Sequence, residues 1–178
     1  MIVKIADNIV SPLGLTSEEN YQAVKSGRSE LKRYEGKWDI PEPFVASLLQ
    51  RERVEAETER LGLGNGYTFF EKAVILSITK ALENTEIDAA SEKVLFVFST
   101  TKGNVYLLDK NQKGFADERV LLGVTAKVIT GFFHNPNTPI VVSNACISGV
   151  CAQIEAMRNL QSHSFETVIV AGADIQSP

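Results

Sequence analysis

Three short apolar runs constrain this chain most: KVLFVFST (93–100), PIVVS (139–143) and TVIVAGAD (167–174). Each is too short and too unbroken to be one side of an amphipathic element. Each reads as a strand buried on both faces, and stretches of helical periodicity lie between them. A sheet of such strands folds only if helices cover both of its faces. The expected class is therefore α/β, with a mostly parallel sheet between helical layers.

The helices are read from period and caps. GYTFFEKAVILSITKALENT (66–85) places Phe70, Val74, Ile78 and Leu82 on one stripe. TSEENYQAVKSG (16–27) opens on Thr16 or Ser17 with Glu19 and Asn20 behind, and closes on Gly27, as a short helix does. Residues 119–133 and 147–162 read as two more helices. SLLQRERVEAETERL (47–61) reads as a mixed-charge helix with a solvated face. IVKIADNIV (2–10) reads as a strand ending at the turn SPLG, and 28–46, with Pro41 and Pro43, as irregular. The 178 residues form one domain or a large piece of one. No internal repeat or low-complexity tract interrupts them.

Composition narrows the function classes. Net charge is −4, which gives no nucleic-acid footprint. No apolar run approaches a membrane span, and MIVKIADNIV lacks the layout of a signal peptide. Two cysteines, Cys146 and Cys151, make no disulfide framework, and a reducing cytoplasm is the expected compartment. No metal or other cofactor is expected, because no Cys or His cluster with ligand spacing occurs. The glycine-rich GLGNG (62–66) follows a charged helix rather than a strand, so it reads as a helix cap and turn.

The stretch SNACISG (143–149) joins the second apolar strand to a helix. In an open α/β sheet, ligands bind beyond the carboxyl ends of the strands. Cys146 lies there, at a helix N-terminus, where the dipole and free N–H groups favour the nucleophilic thiolate form. Ala145, Ser148 and Gly149 leave room for a substrate, and Gly149 allows close helix packing. The competing reading is a small buried hydrophobe, and position alone does not decide between them. For Cys151, inside the helix, the structural reading prevails. A cysteine nucleophile needs a base. His134 precedes the strand, at the far end of the sheet, and His163 ends the helix that Cys146 begins, roughly 24 Å away at 1.5 Å per residue. Asp174, at a strand end on the same side as Cys146, reads as a hydrogen-bonded turn residue.

The stretch VVSNACISGVCAQIEAMRNLQSHSFETVIVAGAD (141–174) resembles the nucleophile region of the β-ketoacyl-ACP synthases, condensing enzymes of fatty-acid and polyketide synthesis. Their pattern is an apolar strand, Thr-Ala-Cys-small-Ser-Gly, a helix, and a strand ending in Ala-Gly-Gly. IVSPLG (9–14) with SEENYQAVKSGRSEL (17–31) is similar to the family's first strand, turn and helix, and VFSTTKGNV (97–105) to its second strand and glycine loop. The resemblance is strongest at 141–149 and weak between 32 and 65. It implies a thiolase-like layered fold, of which residues 1–178 are an incomplete first half. It also implies an acyltransferase whose Cys146 accepts an acyl group before decarboxylative Claisen condensation. The cysteine's own N–H forms half of the oxyanion hole in that family. The decarboxylating histidines and a supporting lysine come from its second half, so this stretch alone is expected to be inactive. Asn144, Ile147 and Gly149 become candidate substrate-binding positions, Asn144 standing for the usual Thr and Ile147 for a small residue. Retention of Cys146 argues against the non-catalytic chain-length-factor relatives. The implied partners are thioesters of acyl carrier protein or CoA, and a homodimer or a related synthase subunit. A non-catalytic half-fold that scaffolds a partner, and another member of the thiolase superfamily, stay open as alternatives.

Overall fold

In a computed structural model, which describes residues 1–109 and 114–176, three helix–sheet layers form around one central strand. That strand is β3 (Val94–Ser99), all six residues of which are buried. It pairs in parallel with β4 (Ile140–Val142) on one side and β5 (Thr167–Gly172) on the other. The register sets Ser99 opposite both Val142 and Gly172, so the three strands end together. Side chains alternate across a strand. Phe96 and Phe98 therefore face α3 (Phe69–Leu82) and α4 (Leu122–Phe132), meeting Phe70, Val74, Ile78 and Ile129. Leu95 and Val97 face the other way, onto Ala152 of α5 (Ser148–Gln161). The α/β layered fold expected from the three apolar runs is present.

α1 (Ser17–Lys25) is capped by Thr16, whose hydroxyl accepts from the Glu19 amide. The helix expected over 66–85 starts at Thr68, where Thr68 and Glu71 form a full capping box. The charged helix is shorter than 47–61, running as α2 (Arg51–Arg60). It is not simply a solvated rod. Val54 and Thr58 are fully buried, and Val54 packs with Leu15, Phe69, Ala73 and Leu76. The helix expected from 119 begins as a 3₁₀ turn at Asp117–Val120.

Two expectations fail. Residues 28–46 are not irregular: β1 (Lys32–Tyr34) and β2 (Phe44–Ala46) pair antiparallel. Phe44 stacks on both Tyr34 and Trp38, at 5.6 and 5.7 Å between ring centroids, and strands of three residues are too short to carry a period-2 pattern that would announce this aromatic triplet. The second failure is the strand expected at 2–10. Those residues carry no secondary structure, and none of their backbone groups makes a backbone–backbone hydrogen bond among the described residues. The reason is positional. A groove of 1870 Å³ separates them from the outer edge of β5, so no strand lies within pairing distance. Val10 anchors the run against the α2–α3 cluster, and Asn8 Nδ2 donates to Ser77 Oγ of α3 at 3.3 Å.

Candidate functional site

β3, β4 and β5 finish at one end of the sheet, and the chain leaves β4 there through Asn144 into a 3₁₀ turn, Ala145–Ile147, that leads into α5. Cys146 sits in that turn and is exposed. The α-helix proper begins two residues later, at Ser148. Ser148 makes the junction rigid. Its buried hydroxyl accepts from the Asn144 amide at 2.7 Å and donates to the Ala145 carbonyl at 2.7 Å. A single side chain thus bonds two successive residues of the segment between strand and helix and closes the loop that carries the thiol. Ala145 takes up the remaining bend, with φ of +46°. That conformation costs a residue with a Cβ about 1–2 kcal/mol.

The candidate substrate-binding positions separate. Asn144 is tied to the helix, its Nδ2 lying 3.6 Å from Cys151 Sγ. Ile147 turns outward and is 54% exposed. Gly149 is exposed, and a Cβ on it would meet Ser99 Oγ at an ordinary 4.0 Å, so close packing does not require glycine there, contrary to the sequence expectation. Gly172, at the end of β5, is more crowded: a Cβ there would come within 2.7 Å of Ser99 Oγ. The large groove admits Gly149 and Val150 to its lining but not Cys146, Asn144 or Ile147.

Asp174, just past β5, is hydrogen-bonded as its position predicted, though no turn forms there. Its carboxylate accepts from the hydroxyls of Thr100 (2.8 Å) and Thr101 (2.9 Å) and from the amides of Thr101 and Lys102 (both 3.1 Å), holding the loop after β3 beside the Cys146 turn. The far side of that loop is held by a network that sequence reading missed. Asn104, fully buried, accepts from Thr68 Oγ1 at 2.7 Å. Its amide nitrogen donates to Glu71 Oε1 at 2.9 Å and to Thr125 Oγ1 at 3.1 Å. Arg119 clamps the buried Glu71 carboxylate with two bonds, of 2.9 and 2.6 Å. The capping-box pattern Thr68/Glu71 was the available signal, but nothing local announced its tertiary partners.

The two imidazoles stand where the sequence put them. His134 closes α4 at the amino end of β4, and His163 closes α5 beyond its fourteen residues, roughly 21 Å of helix from the Cys146 turn. Both adopt left-handed φ, +54° and +57°, as helix-terminating residues do. Among the described residues, no group of three or more His, Cys, Asp or Glu is placed to hold a metal, and no helix is long and apolar enough to cross a membrane.

No protein-family model matches the sequence. No curated protein matches it either. Solved structures do match the fold. One, described as the ishigamide ketosynthase/chain length factor, superposes with a TM-score of 0.76 at 17% identity, covering 97% of this chain and 52% of the other. A β-ketoacyl synthase from Burkholderia phymatum STM815 gives 0.60 at 18% identity, covering 90% and 43%. A ketosynthase from module 1 of the bacillaene synthase of Bacillus amyloliquefaciens FZB42 gives 0.51 at 14% identity, covering 97% and 35%. The chain spans about half, or less, of the length of these structures.

Proposed function

We propose that this chain, which has the thiolase-like fold of the ketosynthases, is the N-terminal portion of a β-ketoacyl-ACP synthase-like acyltransferase, with Cys146 as its acyl-accepting nucleophile. The observation that carries the reading is the exposed thiol on a rigid turn between a parallel strand and a helix, held by Ser148. The thiolate of Cys146 attacks the carbonyl carbon of an acyl thioester. The tetrahedral oxyanion then collapses, expels the carrier thiolate and leaves the acyl group on Cys146. The Cys146 N–H supplies one oxyanion donor. Ile147, beside the thiol, limits the room for the first carbons of the chain, and Asn144 and Gly149 flank the approach. Decarboxylation of a malonyl thioester, and the Claisen step that follows, need imidazoles that His134 and His163 do not supply from the far end of the sheet. Those steps are assigned to residues outside this stretch of chain.

The donors are thioesters of an acyl carrier protein or CoA, in a reducing cytoplasm. The complete synthase works as a homodimer or with a related synthase subunit. The test is intact-mass analysis after incubation with an acyl thioester. The expected result is slow addition of one acyl group, lost in Cys146→Ala and kept in Cys151→Ala. An adduct that survives Cys146→Ala removes Cys146 from the role.

Two observations favour a second reading. The imidazoles are remote and a long apolar groove is open, which is also what a non-catalytic half-fold that binds a partner would show. Such a chain would gain thermal stability from the partner and would resist acylation.

A further inference from the structure

The glycine-rich stretch GLGNG (62–66) links α2 to α3, and the acyltransferase reading makes no use of it. Gly62, with φ of +75°, turns the chain out of α2. Leu63 then enters the core, 2% exposed, and its amide donates to the Thr58 carbonyl at 3.0 Å. Gly66 is fixed on the other side, its carbonyl accepting from Arg119 Nη2 at 3.0 Å. Between these two anchors Gly64 and Asn65 are exposed.

Asn65–Gly66 is the one asparagine–glycine pair in the chain. The geometry there suits attack of a backbone nitrogen on the side-chain carbonyl of the residue before it. Among the described residues, neither the Asn65 carboxamide nor the Gly66 amide has a hydrogen-bond partner, so no bond has to break first. Both residues are open to water. The Gly66 nitrogen has no neighbouring Cβ to shield it, and the space such a Cβ would fill is empty to 4 Å. Asn84 and Asn144, the other exposed asparagines among the described residues, lack this combination. The Thr85 amide is held by the Leu82 carbonyl at 2.9 Å and shielded by a branched side chain. Asn144 has its Nδ2 on Cys151 Sγ at 3.6 Å and is followed by an alanine.

We propose that Asn65 is a modification site, converting without an enzyme to isoaspartate through a succinimide, and that the conversion frees Gly66 from Arg119. The Gly66 nitrogen gives up its proton to solvent base and bonds to Asn65 Cγ. The bond from Cγ to the carboxamide nitrogen breaks, and that nitrogen leaves as ammonia. Water then opens the succinimide. Opening at the backbone carbonyl carbon of residue 65 gives isoaspartate, with the chain running through Cβ and Cγ; opening at Cγ gives ordinary aspartate. The net change is one water in and one ammonia out, and nothing is oxidised or reduced. Isoaspartate adds a methylene to the chain, about 1.5 Å, between the Leu63 anchor and the Arg119 anchor. Leu63 is held by the core, whereas a single hydrogen bond holds Gly66, and a bond of 3.0 Å is lost by about 3.6 Å. The Arg119–Gly66 bond therefore yields. The inference is independent of the acyltransferase reading, because Cys146 takes no part in it.

The test ages the 178-residue chain in mildly alkaline buffer beside the free peptide LGLGNGY. Isoaspartate is read by enzymatic methyl esterification with labelled S-adenosylmethionine and located by fragment mass. It is expected at 65 at a rate within roughly threefold of the peptide's, and roughly tenfold or more above the rates at Asn84 and Asn144. Gly66 has no positive φ and a Cβ there meets nothing, so Gly66→Ala should keep the urea midpoint of the fresh chain. The same variant should slow the conversion roughly tenfold or more. The isoaspartate form, purified from the aged chain, is expected to unfold at lower urea than Asn65→Asp, which carries the new charge without the extra methylene. A rate at 65 in the folded chain roughly tenfold or more below the peptide's would show that the turn protects Asn65, and overturns the modification site. An isoaspartate form with the urea midpoint of Asn65→Asp overturns the release of Gly66 from Arg119.

Discussion

Ser148 and Ala145 act in opposite directions on the turn that carries Cys146. Ser148 supplies two short hydrogen bonds from a buried position. Ser148→Ala strands the Asn144 amide, while the Ala145 carbonyl keeps the Ser148 backbone N–H, and is expected to cost about 1–3 kcal/mol. The midpoint of urea unfolding reads that loss, and the rate of Cys146 alkylation by iodoacetamide reads the loosened turn. Ala145 instead holds a left-handed φ that glycine adopts freely. Ala145→Gly is therefore expected to stabilise the chain, by up to about 1 kcal/mol once the extra unfolded-state entropy of glycine is subtracted. A fall in the urea midpoint would show that the Ala145 Cβ is held by contacts that outweigh its strain.

Among the elements, the amino end of α3 is the joint on which the loop after β3 depends. Glu71 is fully buried and paired with Arg119 in two bonds, while Asn104 ties Glu71 to Thr68 and Thr125. Arg119→Met leaves a buried carboxylate without its cation, and a loss of about 3–5 kcal/mol is expected. That is a large part of the 5–15 kcal/mol of a typical domain. Adding Glu71→Gln to Arg119→Met should restore part of the loss, because the uncompensated charge is gone. If the double variant is no better than the single, packing rather than charge dominates the joint. α1 has a gentler electrostatic link. The Leu15 amide donating to Glu19 at 2.6 Å holds the Glu19 carboxyl below its ordinary value, and Arg53 and Lys80 act in the same direction. A lowered folded-state value contributes stability above the unfolded carboxylate range, and this is lost as pH falls through the folded value. Glu19→Gln should therefore flatten the acid limb of the stability–pH curve and leave its neutral-to-alkaline part unchanged in shape. A parallel downward shift of the whole curve would show a geometric role only.

The same elements show what was legible in sequence. β3, β4 and β5 were readable because strands buried on both faces must be unbroken apolar runs, and α3 because its stripe and capping box agree. Cys146 was readable because a strand–cysteine–helix junction places a thiol at the sheet's carboxyl end by topology alone. The β1–β2 hairpin was not readable. Its strands are three residues long, and its stability comes from Tyr34, Trp38 and Phe44 meeting across the turn. Nor was the part of Asn104, since a buried asparagine is defined by partners 15 to 36 residues away.

Across the whole molecule, burial and exposure divide unevenly, and stability should divide the same way. Ile129 of α4 lies in the main core against Phe96 and Val74. Ile129→Ala is expected to cost about 2–5 kcal/mol. Val150 and Met157 of α5 are equally apolar, yet they are 60% and 43% exposed along the groove. They contribute apolar surface that water still covers. Val150→Glu combined with Met157→Lys should therefore change the unfolding free energy of this chain by no more than about 0.5 kcal/mol. The same pair should lower the fluorescence of a dye that reports exposed apolar surface, because it breaks the patch that the groove presents. A cost above about 2 kcal/mol, the range of core truncations, would mean that the α5 face is already covered in solution. If the cost is small and dye fluorescence falls, the α5 face is open in the isolated chain, and its apolar character then has no role in the stability of residues 1–178 on their own.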